Sequence, residues 1–257
     1  RTLPWGDLTG IRPTKIPMKL LEEGWKNTEI ARYMRETYGV SNEKTALAIT
    51  IANREKALLQ DLDYENGYSL YVGIPFCPSI CLYCSFGSHP LERWTKRVDE
   101  YLDTLCKELT FIREQMGTRK LTTVYIGGGT PTTLEPEQLR RLLSHIQETF
   151  DFTWVKEYTV EAGRPDSITR EKLQVMKEFP VTRISVNPQT MNQKTLDVIG
   201  RKHTVEDTVN IFHMARELEF DNINMDLIIG LPGEGKEEVA HTLQEVEKLH
   251  PDSLTIH

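Results

Sequence analysis

From residue 69 onward, short apolar runs rich in β-branched residues alternate with longer amphipathic stretches, and this alternation constrains the fold more than any other feature. Each short run has the length of a strand, and each stretch between two runs has the length of a helix. The predicted strands are 69–74, 122–126, 157–161, 182–187, 222–229 and 252–256. The predicted helices lie near 93–116, 135–149, 169–178, 192–199, 204–219 and 235–249.

Strands that alternate with helices indicate a parallel sheet with right-handed crossovers. The resulting α/β fold is either an open doubly wound sheet or a barrel, and periodicity alone does not choose between them. Six strands are too few for a complete eight-stranded barrel. In both architectures, ligands bind at the carboxyl ends of the strands, so we expect functional motifs in the loops that follow strands.

Residues 1–66 show no strand pattern, and we predict that they form a separate helical region before an α/β region at 67–257. Gly39 stands where a helix would end, and Ser41 stands where the next would begin. Apolar residues recur there at the three- and four-residue intervals of amphipathic helices, at Ile30, Met34, Leu47, Ile51 and Leu58.

Charge and hydropathy narrow the class of protein. The net charge of −7 argues against a nucleic-acid partner, because such partners favour a basic surface. No apolar run reaches the roughly 20 residues that span a bilayer, and the first residues lack the apolar segment of a secretory signal. We therefore expect a cytoplasmic protein without a membrane span. Four cysteines in 257 residues are too few for a disulfide scaffold.

Three of these cysteines, Cys77, Cys81 and Cys84, lie in the stretch GIPFCPSICLYCSF, which directly follows the first predicted strand. Their spacing, C-x3-C-x2-C, supplies one thiolate too few for a closed four-ligand zinc site or for a fully protein-bound [4Fe–4S] cluster. A cluster held by three thiolates keeps one iron open for a small ligand. Cys106 falls on a helical stripe of leucines, and we predict that it is a buried core thiol.

The cysteine loop resembles that of the radical S-adenosylmethionine (SAM) enzymes. LYVGIPFCPSICLYCSF is similar to the loop of the oxygen-independent coproporphyrinogen III oxidase family, and YIGGGTPTTL, RISVNPQTMN and MDLIIGLPGE resemble later motifs of that family in the same order. The resemblance covers about residues 68–257. The preceding LPWGDLTGIRPTKIP resembles the HemZ-type subgroup. The resemblance implies a partial (β/α)6 barrel, a [4Fe–4S] cluster and SAM.

The resemblance also implies roles for residues. Cys77, Cys81 and Cys84 hold the cluster, and its open iron chelates the amino and carboxylate groups of SAM. One electron from a flavodoxin or ferredoxin then cleaves SAM to methionine and a 5′-deoxyadenosyl radical. The other cofactor-binding residues that the resemblance implies are Tyr71, Tyr83, Gly127, Gly128, Gly129, Thr130, Glu161, Gln189, Arg201 and Asp226.

Physical chemistry gives several of these residues a second interpretation. Three consecutive glycines allow the backbone to approach a ligand, but they also suit a tight turn from strand to helix. Glu161 ends a strand, where it suits ribose hydroxyls or is simply a solvated carboxylate. Asp226 lies within an apolar strand and needs a partner, and Arg201 is a candidate for a purely structural ion pair.

One further motif, GLPGEGKE at 230–237, nearly fits a phosphate-binding loop. Glu237 replaces the hydroxyl that would hold Mg²⁺, and Pro232 removes a backbone donor. We therefore interpret this segment as a glycine- and proline-containing loop that leads into a helix capped by glutamates.

The activity that the resemblance implies is oxidative decarboxylation of coproporphyrinogen III, a small-molecule substrate, to protoporphyrinogen IX in haem biosynthesis. Two residues depart from the family pattern: Gly73 replaces a histidine, and Phe86 replaces a fourth cysteine that cluster binding does not require. Two alternatives stay open on the same scaffold. One is a haem-binding or haem-trafficking protein, and the other is a radical SAM methyltransferase.

Overall fold

A computed structural model describes residues 3–10, 12–63 and 65–257 of the chain. Residues 1, 2, 11 and 64, which belong to the predicted helical region 1–66, lie outside the described residues. The chain divides into two compact units, Arg1–Glu65 and Asn66–His257.

The first unit is helical. Gly39 adopts a left-handed conformation that ends its second helix, and the Ser41 hydroxyl caps the third by accepting a bond from the Lys44 backbone N–H at 3.3 Å. The predicted end of the second helix and the predicted start of the third are thus confirmed. The helices are α1 (Lys15–Glu22), α2 (Asn27–Tyr38) and α3 (Asn42–Leu59). Their shared core contains Leu20, Leu21, Ile30, Met34, Val40, Ala48, Ile49 and Ala52.

The buried face of α3 differs from the one that the apolar pattern predicts. Leu47 and Leu58 are 43% and 76% exposed, so the predicted stripe was wrong for these two leucines. The face that is buried instead carries Thr45, Ala48, Ile49 and Ala52, three of which are small. The small side chains allow α3 to lie close to α1 and α2.

The second unit alternates strands and helices as the sequence predicts. Its strands are β1 (Gly67–Ile74), β2 (Phe76–Cys77), β3 (His89–Pro90), β4 (Lys120–Gly128), β5 (Glu157–Gly163), β6 (Arg183–Val186), β7 (Ile223–Leu227) and β8 (Ser253–Ile256). Its α-helices are α4 (Leu91–Trp94), α5 (Val98–Met116), α6 (Pro136–Thr149), α7 (Arg170–Lys177), α8 (Gln193–Val198), α9 (Val205–Glu217) and α10 (Lys236–Leu249). Short 3-10 turns occupy Thr95–Arg97, Pro131–Thr133 and Pro165–Ser167.

The order of the strands distinguishes a barrel from an open doubly wound sheet, a choice that the periodicity of the sequence left open. Among the described residues, six strands form one sheet in the order β1-β4-β5-β6-β7-β8, and every neighbouring pair is parallel. A doubly wound sheet would reverse its order at a switch point, whereas this order follows the chain throughout. Right-handed crossovers in one direction place the helices on one face of the sheet, as in a barrel. The predicted partial (β/α)6 barrel is therefore confirmed.

The two faces of the sheet differ in polarity. On β1, Leu70, Val72 and Ile74 are buried in the main apolar core, which also contains the apolar faces of α5, α6 and α9. Tyr71 alternates with these residues and pairs in register with Tyr125 on β4. The inner face of the partial barrel therefore carries polar and aromatic side chains, and this face leads to the carboxyl ends of the strands.

Two short strands were not predicted from sequence. The two-residue strands β2 and β3 pair in parallel and close the cysteine loop at its base.

Within the described parts of the chain, no helix combines the length and the apolar character that crossing a membrane requires.

The packing of α5 yields a stability prediction. Leu102 is fully buried in the main core, whereas Phe111 on the same helix is 58% exposed. We expect Leu102→Ala to lower the free energy of unfolding by about 2–5 kcal/mol, because it removes buried apolar contacts and leaves a cavity. Phe111→Ala should change it by less than about 0.5 kcal/mol. Chemical denaturation of both variants checks the difference, and similar losses in the two would contradict this assignment of the buried face.

Candidate functional site

The cysteine loop is held against a distant part of the chain. Leu82 N–H donates to the carbonyl of Ile199 at 3.0 Å, and the Ser79 hydroxyl donates to the carbonyl of Gly200 at 3.0 Å. Both acceptors lie at the carboxyl end of α8. Cys77 and Cys81 are buried, and Cys84 is half-buried. The three thiols therefore sit on a loop that is bonded at two points to the end of α8.

The glycine segment that follows β4 holds the base of the same loop. Gly129 N–H donates to Ile74 O at 2.7 Å, and Thr130 N–H donates to Phe76 O at 2.8 Å. The Thr130 hydroxyl also donates to Cys77 Sγ at 3.5 Å. A Cβ at Gly129 would lie only 2.7 Å from Phe76 O, so the close approach of these two backbones requires glycine.

A cleft of about 390 Å³ opens at the carboxyl ends of the strands, beside this loop. It brings together most of the residues that the sequence singled out. Its lining includes Cys77, Cys81, Tyr83, Cys84, Gly128, Gly129, Thr130, Glu161, Gln189, Arg201 and Asp226. Gly127 is adjacent, since a Cβ there would lie 2.7 Å from Glu161 Oε2.

Tyr71 lies outside the lining of this cleft, so its predicted role in cofactor binding stays a prediction. Its ring is 62% exposed and stacks on Tyr125, with ring centroids 5.6 Å apart. The reason is its position on β1, three residues before the strand ends, whereas the cleft begins where the strands end.

Cys106 also differs from its prediction as a buried core thiol. The leucines of its helical stripe are buried, but Cys106 lies at the edge of that stripe and is only half-buried. Its backbone carbonyl accepts a bond from His145 Nε2 at 2.8 Å. Cys106 lies outside the lining of the cleft, so it is separate from the three thiols of the loop.

The expected ion pair between Asp226 and Arg201 is not formed among the described residues, because Asn187 lies between the two charges. Arg201 Nη1 donates to Asn187 O at 2.7 Å, and Asn187 Nδ2 donates to Asp226 Oδ2 at 3.0 Å. Asn224 Nδ2 donates to the other Asp226 oxygen at 2.7 Å. Asp226 is therefore satisfied by two amides, and the alternative interpretation as a structural ion pair with Arg201 does not apply.

Two polar atoms in the cleft have no hydrogen-bond partner. Gln189 has a left-handed backbone, with φ of 67°, and its buried Oε1 is unpaired. Arg201 Nε is also buried and unpaired, although Arg201 Nη2 donates to the Tyr83 hydroxyl at 3.1 Å. Unpaired buried polar atoms are rare in proteins. One acceptor and one donor of residues that line the cleft thus lack partners.

Burial and, secondarily, the nearby Asp226 carboxylate raise the pKa of Glu161 to about 7. A buried carboxyl group disfavours its charged form, and a second negative charge adds to that effect. Burial, opposed by the positive charge of Arg201, raises the pKa of Tyr83 to about 12. The hydroxyl of Tyr83 therefore stays protonated at neutral pH.

Three residues of this region were missed from sequence. Asn187 directly follows β6, the fourth strand of the barrel, and the motif RISVNPQT already placed it at the end of a predicted strand. Arg164 follows β5 in EAGRPD and is buried against the cysteine loop, so its position after a strand was the signal that could have found it. His203 is fully buried, and burial followed by the charge of Arg201 lowers its pKa to about 4.

The loop GLPGEGKE has the structural role that its chemistry predicts. Glu234 accepts hydrogen bonds from the Thr190 hydroxyl at 2.5 Å and from Asn192 Nδ2 at 3.1 Å. Gly235 N–H donates to Glu238 Oε2 at 2.8 Å, which caps the start of α10. The interpretation as a loop leading into a glutamate-capped helix is confirmed.

The glycine contact yields a prediction about the loop. Gly129→Ala should separate the backbones of residues 74–76 and 128–130, because two carbonyl oxygens lie within 2.9 Å of the new Cβ. We expect a lower melting temperature and faster alkylation of Cys77, mapped by mass spectrometry. Gly87→Ala is the matched control, since a Cβ at Gly87 meets nothing within 4 Å. Equal alkylation rates at Cys77 in both variants would contradict the proposed role of this contact.

The raised pKa of Glu161 yields a prediction about pH. Between pH 4.5 and about 7, the folded chain keeps a proton on Glu161 that the unfolded chain releases, so this group lowers the free energy of unfolding as pH rises. Glu161→Gln removes that contribution. The stability of the variant minus that of the parent should therefore increase from pH 4.5 to about 7 and then level off.

Chemical denaturation at several pH values measures this difference. The difference between variant and parent also removes the contribution of His203, which is the same in both. The lowered pKa of His203 reduces the free energy of unfolding as pH falls from 6.5 to about 4. A difference that stayed constant from pH 4.5 to 8 would show that Glu161 is ionised in the folded state.

Comparison with known proteins was made for sequence and for structure. The chain is 44% identical over its whole length to the oxygen-independent coproporphyrinogen-III oxidase-like protein HemZ of Bacillus subtilis, and it covers 52% of that protein. It is 37% identical to the heme chaperone HemW of the same species, over 74% of this chain and 49% of HemW. The chain thus spans about half the length of these curated relatives.

Among solved structures, coproporphyrinogen III oxidase (HemN) from Escherichia coli, a radical SAM enzyme, matches with a TM-score of 0.69 and 32% identity. The match covers 78% of this chain and 46% of that one. The predicted resemblance to the HemN- and HemW-like proteins is therefore confirmed. The family model of the radical SAM superfamily, whose members use a [4Fe–4S] cluster and SAM, matches residues 71–246. The chain belongs to the radical SAM superfamily.

Proposed function

We propose that this chain is a radical SAM oxidoreductase that acts on a porphyrinogen, with its [4Fe–4S] cluster held by Cys77, Cys81 and Cys84. The observation that carries the proposal is the convergence of three thiols from one fixed loop with the glycine segment and two unpaired polar atoms around one cleft. A cytoplasmic setting remains a prediction from the sequence.

The donor set fits a cluster better than a single metal ion. Among the residues that the structure describes, no three His, Cys, Asp or Glu side chains converge as the ligands of one ion do. In a [4Fe–4S] cluster, each thiolate binds a different iron, so the sulfurs need not converge on one point. Three thiols on one loop therefore suit a cluster, in keeping with the one missing thiolate that argued against a closed zinc site.

The remaining cleft residues suit SAM. When bound, the reduced cluster and SAM supply a carbon-centred radical that abstracts hydrogen from a substrate. In our proposal, the segment of Gly127, Gly128, Gly129 and Thr130 holds the methionine end of SAM through its backbone.

Glu161, Gln189, Arg201 and Asp226 bind the remaining polar groups of SAM in the same cleft. The unpaired Gln189 Oε1 accepts a hydrogen bond there, and the unpaired Arg201 Nε donates one. The hydroxyl of Tyr83 holds the Arg201 guanidinium in place. A flavodoxin or ferredoxin delivers the electron.

The proposed reaction is oxidative decarboxylation of coproporphyrinogen III to protoporphyrinogen IX. Support comes from the oxidase and oxidase-like relatives, of which this chain covers about half. Gly73 stands in place of the family histidine and offers only its carbonyl, which accepts a bond from the Tyr101 hydroxyl at 2.5 Å. Any proton transfer that the histidine performs must therefore come from another group.

A second candidate function is haem binding or trafficking on the same scaffold. The specific observation in its favour is the 37% identity to the heme chaperone HemW over 74% of this chain. The two functions differ in a measurable way. An oxidase converts the porphyrinogen, whereas a trafficking protein binds haem and leaves the porphyrinogen unchanged.

Cluster binding yields a direct prediction. Anaerobic reconstitution with iron and sulfide should load the parent chain with about four irons, the composition of a [4Fe–4S] cluster. Replacement of Cys77, Cys81 or Cys84 by Ala should abolish both the cluster and the formation of 5′-deoxyadenosine from SAM and dithionite. Cys106→Ala is the matched control and should retain both, because Cys106 lies outside the cleft.

Incubation of the reconstituted chain with coproporphyrinogen III then tests the substrate. Formation of a decarboxylated product supports the oxidase. Deoxyadenosine without such product would leave the radical chemistry intact and exclude this substrate. Absence of deoxyadenosine from a fully loaded chain would contradict the radical function, and haem binding by that chain would favour the trafficking candidate.

A further inference from the structure

Arg164 is a buried cation that touches the cysteine loop, and neither the resemblance nor the proposed function uses it. Its residue is 3% exposed. Its Nη1 donates to Ser79 O at 3.0 Å and to Ser79 Oγ at 2.9 Å, and it lies 3.7 Å from Cys81 Sγ. One nitrogen of the guanidinium thus contacts both the backbone of the loop and one of its thiols.

Asp166 fixes the orientation of this guanidinium. Arg164 Nε donates to Asp166 Oδ1 at 3.0 Å, and Arg164 Nη2 donates to Asp166 Oδ2 at 2.7 Å. A bidentate pair of this kind holds a planar guanidinium in one geometry. Because two of its nitrogens face the carboxylate, the third faces Ser79 and Cys81. The two hydrogen bonds to Asp166 therefore orient Arg164 Nη1 toward the Cys81 thiol.

Burial strengthens the electrostatic effect of this pair on its surroundings. Charges interact more strongly in the protein interior than in water, and salt screens buried groups less. The positive member of the pair is the one nearer to the loop, because the Arg164 guanidinium contacts Cys81 and the Asp166 carboxylate lies on the other side of the guanidinium. Arg201, His203 and Asp207 also interact electrostatically with Asp166, and Cys77 as well as Cys81 interacts with Arg164.

We propose that Arg164 is a positioning residue that raises the reduction potential of the cluster by placing a buried N–H donor and a positive charge on the Cys81 sulfur, with Asp166 opposing that charge. This inference rests on the proposed function, which places the cluster on Cys77, Cys81 and Cys84. Reduction adds one electron to the cluster. Hydrogen bonds to the sulfurs and nearby positive charge stabilise the more negative, reduced form.

A purely structural role for Arg164 makes a different prediction. If Arg164 only braced the loop through Ser79, its loss would reduce the amount of cluster bound without a defined effect on the potential of the bound fraction. Removal of Asp166 would then act in the same direction, because it also loosens the brace. An electrostatic role instead requires opposite shifts when the positive and the negative partner are neutralised.

The test compares four variants of the chain after anaerobic reconstitution, without SAM. Arg164→Gln removes the positive charge, Arg164→Lys keeps it, and Asp166→Asn removes the negative charge. Lys172→Gln is the matched control, because Lys172 is also a buried cation but donates to the carbonyls of Thr132 and Ser167 and touches no thiol of the loop. Iron and sulfide content gives occupancy, and a redox titration followed by electron paramagnetic resonance gives the midpoint potential.

We expect Arg164→Gln to lower the midpoint potential. At a fixed applied potential, the ratio of reduced to oxidised cluster should fall about tenfold, which corresponds to about 59 mV for one electron. Asp166→Asn should shift the potential in the opposite direction. Arg164→Lys should lie closer to the parent than Arg164→Gln does, and Lys172→Gln should leave the potential unchanged.

Unchanged potentials in Arg164→Gln and Asp166→Asn, or shifts of the same sign in both, would overturn the inference. If Arg164→Gln binds no cluster, Asp166→Asn decides: a raised potential supports the inference, and an unchanged or lowered potential overturns it. Failure of the proposed function is separate and visible, because the parent chain itself would then take up no cluster on its three cysteines.

Discussion

The site depends on the continuation of one backbone ladder beyond the sheet. The parallel pairing of β1 with β4 does not stop where the strands end, because Gly129 and Thr130 donate onward to Ile74 and Phe76. These two bonds fix the start of the cysteine loop relative to the glycine segment. A side chain at residue 129 would separate the two backbones, so one glycine maintains the geometry on which the thiols, the cleft and the cofactor proposal all depend.

The buried charges of the cleft are arranged through neutral groups. Asn187 accepts from Arg201 and donates to Asp226, so the cation and the anion are both satisfied without touching each other. Arg201 Nε and Gln189 Oε1, which belong to residues lining the same cleft, have no partner. Burial in this region also raises the pKa of Glu161 to about 7.

The groups proposed for cofactor binding and the aromatic inner face of the sheet lie at different levels of the fold. The groups proposed to hold the cluster and SAM lie in the loops after the strands and belong to the part that matches the superfamily. The inner face of the sheet, with Tyr71 stacked on Tyr125 and Gly73 in place of a histidine, lies below them. The relatives of this chain include an oxidase and a chaperone, and the differences between them are expected on that face and in the half of those proteins that this chain does not cover.

The sequence by itself determined the order of strands and helices and the loop that carries the three thiols, because periodicity and cysteine spacing are local properties that survive without knowledge of contacts. Strand order, and with it the choice of a barrel over a doubly wound sheet, was decided only by tertiary pairing. Tertiary structure alone also decided three features of the site. They are the bridge by Asn187, the contact of Arg164 with Cys81 and the position of Tyr71 outside the cleft lining. Each depends on residues far apart in the chain, and only the packed sheet sets the distances between them.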